Sequence, residues 1–147
     1  MLLCGLPGSG KTTTARRLAA ETGGVRFCPD EWMTALDIDL FDEAARAKVE
    51  ALQWELAQEL LALNQPVIIE WGVWSRAERD VVRERARELD AAVELVYLDV
   101  PIDVLLERLA ARNAEQPPGT AVISRENLLA WAERFEAPDA GEQSRFD

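Results

Sequence analysis

Histidine is absent from this chain of 147 residues, which removes histidine-based general-base triads and histidine-ligated zinc sites from consideration. Any proton transfer falls to a carboxylate, lysine, cysteine or tyrosine. Cysteine is scarce: Cys4 and Cys28 each end a short apolar run, and two thiols make neither a disulfide framework nor a four-ligand metal site. Both are expected to be buried thiols. Long apolar runs are missing too. No stretch approaches the roughly 18 consecutive apolar residues that cross a bilayer, and Met1 leads into a glycine-rich turn rather than a signal-peptide core. A cytoplasmic protein with no membrane partner is expected. Positive charge is in deficit, with 16 Lys and Arg against 27 Asp and Glu for a net charge of −11, and this disfavours sequence-independent binding to nucleic acid. A small basic pocket is compatible with that balance.

Hydrophobic residues at 48% and charged residues at 29% are ordinary for a globular chain, and the length suits one domain with a sizeable core. Short apolar runs alternate with helical patterns. Met1–Cys4 reads as a strand, Lys11 to Thr22 as a helix stopped by Gly23-Gly24, and Val25–Cys28 as a second strand that Pro29-Asp30 turns out of. From Asp42 to Leu63 the spacing of Val49, Leu52, Leu56 and Leu60 predicts an amphipathic helix, ended before Pro66. Val67–Ile69 supplies a third strand. Ser75 and Glu78 have capping-box spacing and predict a helix to about Leu89, followed by a strand over Val93–Leu98. Pro101 sits at a first helical position, with Ile102, Leu105, Leu106 and Leu109 forming a stripe toward Arg112. Asn113–Thr120 is expected as loop, Ser124 as the cap of a last helix, and the acidic tail after Pro138 shows no pattern. Strands alternating with helices predict an α/β fold: a parallel sheet covered on both faces, with its ligand crevice at the strands' carboxyl ends.

Gly5-Leu6-Pro7-Gly8-Ser9-Gly10-Lys11-Thr12 matches G-x-x-x-x-G-K-[ST] completely, between a predicted strand and a predicted helix. Glycines let backbone N–H groups fold around phosphate oxygens, and the following helix aims its positive end at the same charge. Lys11 is placed to reach the β- and γ-phosphates, and Thr12 to bind Mg²⁺ through its hydroxyl. Only Lys11 and Lys48 among the cations are lysine, so a chain that otherwise uses arginine keeps a compact ammonium in this loop. Phosphate loops serve switches, motors and phosphotransferases. The Asn-Lys-x-Asp of GTPases and the apolar run ending in Asp-Glu of many ATP-driven motors are both absent, which leaves a kinase with a small acceptor.

With these features the chain resembles the small P-loop kinases that carry an AAA-type ATP-binding domain: polynucleotide 5′-kinases, gluconate kinases, chloramphenicol phosphotransferase and zeta-type toxins. The residues that carry the resemblance are Gly5–Thr12; Asp30; Val67-Ile68-Ile69-Glu70 with Ser75-Arg76-Ala77-Glu78-Arg79; Tyr97-Leu98-Asp99-Val100-Pro101; and Arg108 with Arg112-Asn113. The resemblance implies one P-loop kinase-like domain over 1–147, a three-layer α/β/α sandwich with a parallel sheet of order 2-3-1-4(-5). It also implies a helical acceptor-binding segment after the second strand, a lid over 113–121 and a tail over 137–147. Only four residues precede the loop, so the first strand is short, and no fifth strand is visible after Phe135. The tail is either a remnant of that edge or the sheet has four strands.

The resemblance also distributes roles. Gly8, Ser9, Gly10, Lys11, Thr12, Thr13 and Arg108 would contact ATP, Thr12 would hold Mg²⁺, and Lys11, Arg112 and Asp30 would be catalytic. Asp30 matches the aspartate that orients and deprotonates the acceptor hydroxyl in relatives, a task that falls to a carboxylate where histidine is lacking. Read from the residues alone, it is equally a turn aspartate after proline. Glu70 stands where relatives more often carry aspartate; it could hold a metal-bound water or the acceptor, or pair with an arginine such as Arg79. Arg108 and Arg112 are four apart on one helical face, and Arg112 would stabilise the transferring phosphoryl. Trp32, Trp71 and Trp74 follow the second and third strands and, with Arg79, complete the acceptor side; ring stacking on a sugar and core packing are both open to them. Three functions are thereby in play. They are a kinase of a sugar, nucleoside or antibiotic-like hydroxyl, a polynucleotide 5′-hydroxyl kinase, and a non-catalytic nucleotide-binding switch.

Overall fold

The computed structural model describes residues 1–147. In chain order the elements are β1 (Leu2–Cys4), α1 (Lys11–Thr22), β2 (Val25–Phe27), α2 (Pro29–Ala35), α3 (Glu43–Ala62), β3 (Val67–Ile69), α4 (Arg76–Glu88), β4 (Leu95–Tyr97), α5 (Ile102–Glu115), α6 (Arg125–Arg134) and α7 (Ala140–Gln143). The four strands pair in parallel in the order β2-β3-β1-β4, with Leu2 opposite Leu95, Cys4 opposite Tyr97 and Phe27 opposite Ile69. Alternate residues of each strand point to opposite faces. Leu2, Cys4, Phe27, Val67 and Ile69 therefore meet Ala57 of α3 and Val82 of α4, while Leu3 and Ile68 meet Ala15 of α1. Helices cover both faces, and the strand carboxyl ends open toward the phosphate loop.

Local signals placed most helix ends. Asp42, Ser75 and Ser124 each accept a bond from the amide three residues on, and Ser75 with Glu78 forms the full capping box. Three expectations change. Pro29-Asp30 is not a turn but the first turn of α2, with the proline at its first position, where a missing N–H is harmless. Pro101 caps α5 from outside, and that helix runs to Glu115, so Asn113 belongs to its last turn and bonds Ile123 through both amide atoms. On α3 the buried positions are Val49, Gln53 and Ala57, whereas Leu52 and Leu56 are exposed. The reason is local: small Ala57 admits the sheet, and the Gln53 carbonyl answers the Trp71 indole N–H at 2.8 Å.

The sheet has four strands, which decides the alternative left open for the tail, and the tail is held along α4 by a row of arginines. Arg76 lies 3.9 Å from Asp139, Arg79 bonds Glu142, Arg83 sits 5.4 Å from the Phe146 ring centre, and Arg87 lies 3.7 Å from Asp147. Spacings of three and four put these arginines on one helical face. Asp147 then bonds Val93 through its amide and its carboxylate, both at 2.8 Å, beside the start of β4. Arg79 and Glu142 are almost completely buried, at 0% and 2% exposure. Glu142→Ala strands that guanidinium in the interior and is expected to lower unfolding stability by about 3–5 kcal/mol. Urea denaturation checks this; an unchanged midpoint would mean that the pair does not hold the tail.

Candidate active site

The phosphate loop leaves β1 at Cys4 and enters α1 at Lys11. Gly5 has φ +154°, and a Cβ there would sit 2.8 Å from Ser9 Oγ and 3.0 Å from the Leu98 carbonyl, so only glycine fits. Gly10 caps α1 in the left-handed region at φ +96°, and a Cβ there would meet nothing within 4 Å. Thr14 is the first residue of α1 whose amide finds a backbone partner, Gly10 O at 3.0 Å. The amides of Gly10, Lys11, Thr12 and Thr13 donate to no protein acceptor, and no side chain caps the helix. Ser9 Oγ is buried without a partner as well. Open space, free donors and a positive helix end together match a phosphate group.

Lys11 Nζ donates to the carbonyls of Gly5 at 2.7 Å and Leu6 at 3.0 Å. Burial pulls its pKa down to about 8, against the opposing pull of Cys4, Asp30 and Glu70, while Arg112 pushes the same way as burial. Three elements thus bring charged groups to bear on one ammonium: Asp30 from α2, Glu70 from the end of β3 and Arg112 from α5. Arg112 is itself lowered by burial, with Asp30 acting in the other direction, and its Nε is buried without a partner. Arg108, one turn earlier, donates to Gly8 O at 3.3 Å. Burial also raises the thiols of Cys4 and Cys28 to about 11, so both remain protonated near neutrality.

Asp30 lies in the first turn of α2, and its Oδ1 accepts from Arg46 Nη2 at 2.7 Å. Arg46, on α3, carries no motif and was invisible in the sequence. Glu70, with a side chain 1% exposed, accepts from Arg26 Nε at 3.0 Å; Arg26 also reaches Glu31, which Arg16 holds from the other side. Arg26, not Arg79, is therefore the partner of Glu70. Arg79 leaves the acceptor-side group altogether, because its nitrogens are taken by Glu142, the carbonyls of Val73 and Glu136, and Cys4 Sγ. The tryptophans divide. Trp71 is core, edge-on to Trp54 at 5.9 Å, and Trp74 is half-covered by Trp131 at 5.7 Å. Trp32 is half-buried beside Phe27 at 6.2 Å.

The segment between α5 and α6 approaches the same crevice. A Cβ on Gly119 would come within 3.6 Å of Thr34 Oγ1, so this segment rests against α2 one turn after Asp30. An apolar cavity of about 330 Å³ lies on the other flank of Leu6, lined by Leu98, Val100, Ile102 and Phe135 among others, and holds none of the converging arginines or lysine. The charged groups around Lys11 lie outside that cavity. A magnesium ion bound with the nucleotide would find the Thr12 hydroxyl and phosphate oxygens as hard ligands. The half-buried Thr12 in the first turn of α1 fits that arrangement.

A family model for an AAA domain matches residues 1–138. The chain belongs to this family. Among solved structures, this AAA domain is similar to a sugar kinase from Janibacter sp. HTCC2649, at 26% identity and a TM-score of 0.68 over 96% of this chain and 79% of that one. A gluconokinase from Sinorhizobium meliloti 1021 is similar at 23% identity and a TM-score of 0.64, over 95% of this chain and 75% of that one. A chain of the Pnkp1/Rnl/Hen1 RNA repair complex reaches a TM-score of 0.78 at 22% identity, covering 99% of this chain and 45% of that one. No curated protein sequence matches the chain. The AAA domain here has the fold of P-loop kinases, with the sheet order β2-β3-β1-β4.

Proposed function

We propose that the chain is an ATP- and Mg²⁺-dependent phosphotransferase that moves the γ-phosphoryl of ATP to a hydroxyl of a small acceptor such as a sugar, a nucleoside or an antibiotic-like molecule. The observation that carries this reading is the convergence of Asp30, Glu70 and Arg112 on Lys11 at a phosphate loop with free amides. A switch needs the loop but neither carboxylates nor an arginine acting on its lysine. In this reading the amides of Gly10 to Thr13 hold phosphate oxygens, and Lys11 and Arg112 stabilise charge on the phosphoryl as it transfers. Asp30 orients the acceptor hydroxyl in line and takes its proton. Thr12 would hold Mg²⁺, which supplies charge neutralisation between the phosphates.

The cations beside Asp30 and Glu70 support a neutral acceptor. Arg26 is committed to Glu70 and Glu31, and Arg46 to Asp30 and the Leu40 carbonyl. A polynucleotide 5′-hydroxyl is the second reading, favoured by the likeness to the RNA repair complex and opposed by the net charge of −11. An ATP-consumption screen over sugars, nucleosides, antibiotics and oligonucleotides tests the proposal; consumption that no acceptor stimulates would sink it.

Nucleotide binding should depend on pH with a definite sign. Lys11 has its pKa depressed to about 8 in the free protein, whereas a bound polyphosphate favours its charged form. Affinity should thus hold below that value and weaken above it, by up to about tenfold per pH unit. Calorimetric titration of MgATP between pH 7 and 10 reads the effect; an affinity that rises with pH would contradict the assignment of Lys11.

A further inference from the structure

Given the proposed role of Asp30, we infer that Arg46 is the positioning residue that sets its carboxylate for proton transfer. Helix α2 cannot do this alone. It is 7 residues long, and Cys28 at its N-cap gives it no side-chain cap bond. Asp30 stands half-exposed in its first turn, where a free carboxylate would sample several rotamers.

Arg46 supplies the constraint from α3. Its backbone is fixed first, since Asp42 caps α3 through Ala45 N at 2.9 Å and the Arg46 amide bonds Asp42 O at 2.9 Å. From there Nη2 donates to Asp30 Oδ1 at 2.7 Å and to the Leu40 carbonyl at 3.0 Å. One nitrogen thereby ties α2, the α2–α3 connection and α3 together. It engages one carboxylate oxygen. Asp30 Oδ2 accepts no bond from the protein and is the oxygen left for an acceptor hydroxyl. Glu50, one turn on from Arg46, has its pKa raised by burial and by the charges of Glu78 and Asp30, with Arg46 opposing. Asp30 is the one carboxylate with which Arg46 pairs.

Exposure distinguishes positioning from architecture. The Arg46 side chain is 30% exposed and that of Asp30 is 49% exposed, and ion pairs this accessible add little to folding stability. Catalysis is far more sensitive, because a displacement of about 1 Å in a reacting group can lower the rate about 10²-fold. Loss of Arg46 should therefore spare the fold and impair the rate.

The test is a cycle of Arg46→Met and Asp30→Asn, with Arg46→Lys alongside, each assayed with labelled ATP on whichever of D-glucose, glycerol, uridine and chloramphenicol the unaltered protein phosphorylates fastest, or, where none of these reacts, on the best acceptor of the screen above. Arg46→Met should lower kcat by about 10²-fold while the KM for ATP and the melting temperature stay close to those of the parent. Arg46→Lys should recover part of the rate. In the Asp30→Asn background, Arg46→Met should change kcat by less than about twofold. An equal loss in both backgrounds, a raised KM for ATP with kcat intact, or a failure of both Arg46 variants to fold would overturn the inference while leaving the proposed function in place. An unaltered protein that transfers label to none of these and to no other acceptor of that screen would overturn both.

Discussion

Lys11→Ala is expected to abolish phosphoryl transfer. The ammonium is half-buried, anchored by the carbonyls of Gly5 and Leu6, and held with its pKa at about 8, so the fold keeps it at a position that burial disfavours. Charge aimed at a developing oxyanion in such a site is worth several kcal/mol of transition-state stabilisation, about 10²-fold in rate or more. Arginine should not replace it, because a planar guanidinium cannot enter a loop that closes on a compact ammonium. Single-turnover assays with labelled ATP measure the effect. Turnover unchanged in Lys11→Ala would overturn the assignment of the phosphate loop.

The second large effect separates the two carboxylates. Asp30→Asn should lower kcat by about 10²-fold or more while ATP still binds, the loss expected for a general base. Glu70 is set up differently: its carboxylate is buried and held by Arg26, which is also bonded to Glu31. Glu70→Gln removes the charge that Arg26 neutralises, and should weaken metal or acceptor binding more than it slows the step at saturating substrate. If Glu70→Gln is the more damaging at saturation, the two roles are reversed.

The phosphate loop was legible in full because Gly5–Thr12 is a local device, in which each residue acts on its own backbone or on the next turn. Helix caps were legible for the same reason, as Ser75 with Glu78 shows. The sheet order was reached through resemblance, since the parallel pairing of three-residue strands leaves no trace in local pattern. What escaped was pairing across elements. Nothing in the residues around Arg46 marks it as the partner of Asp30, 16 positions away, nor Arg26 as the partner of Glu70, 44 away. The tail could not be placed for a related reason: its carboxylates are unpatterned alone and find their partners on the arginine face of α4. Likewise Trp71 stays open between ring stacking and core packing until Gln53 takes its N–H and places it in the core.

The central claim is transfer of a phosphoryl group to a small neutral acceptor. Its most direct test follows the γ-phosphoryl of labelled ATP into product across sugars, nucleosides, antibiotics and a 5′-hydroxyl oligonucleotide, each at low and physiological salt. A polynucleotide acceptor displaces several counterions, so its use falls steeply with salt, whereas a neutral small molecule displaces few. The account predicts a small phosphomonoester whose formation changes little with salt. Label appearing only on the oligonucleotide, with a steep loss on adding salt, would contradict it.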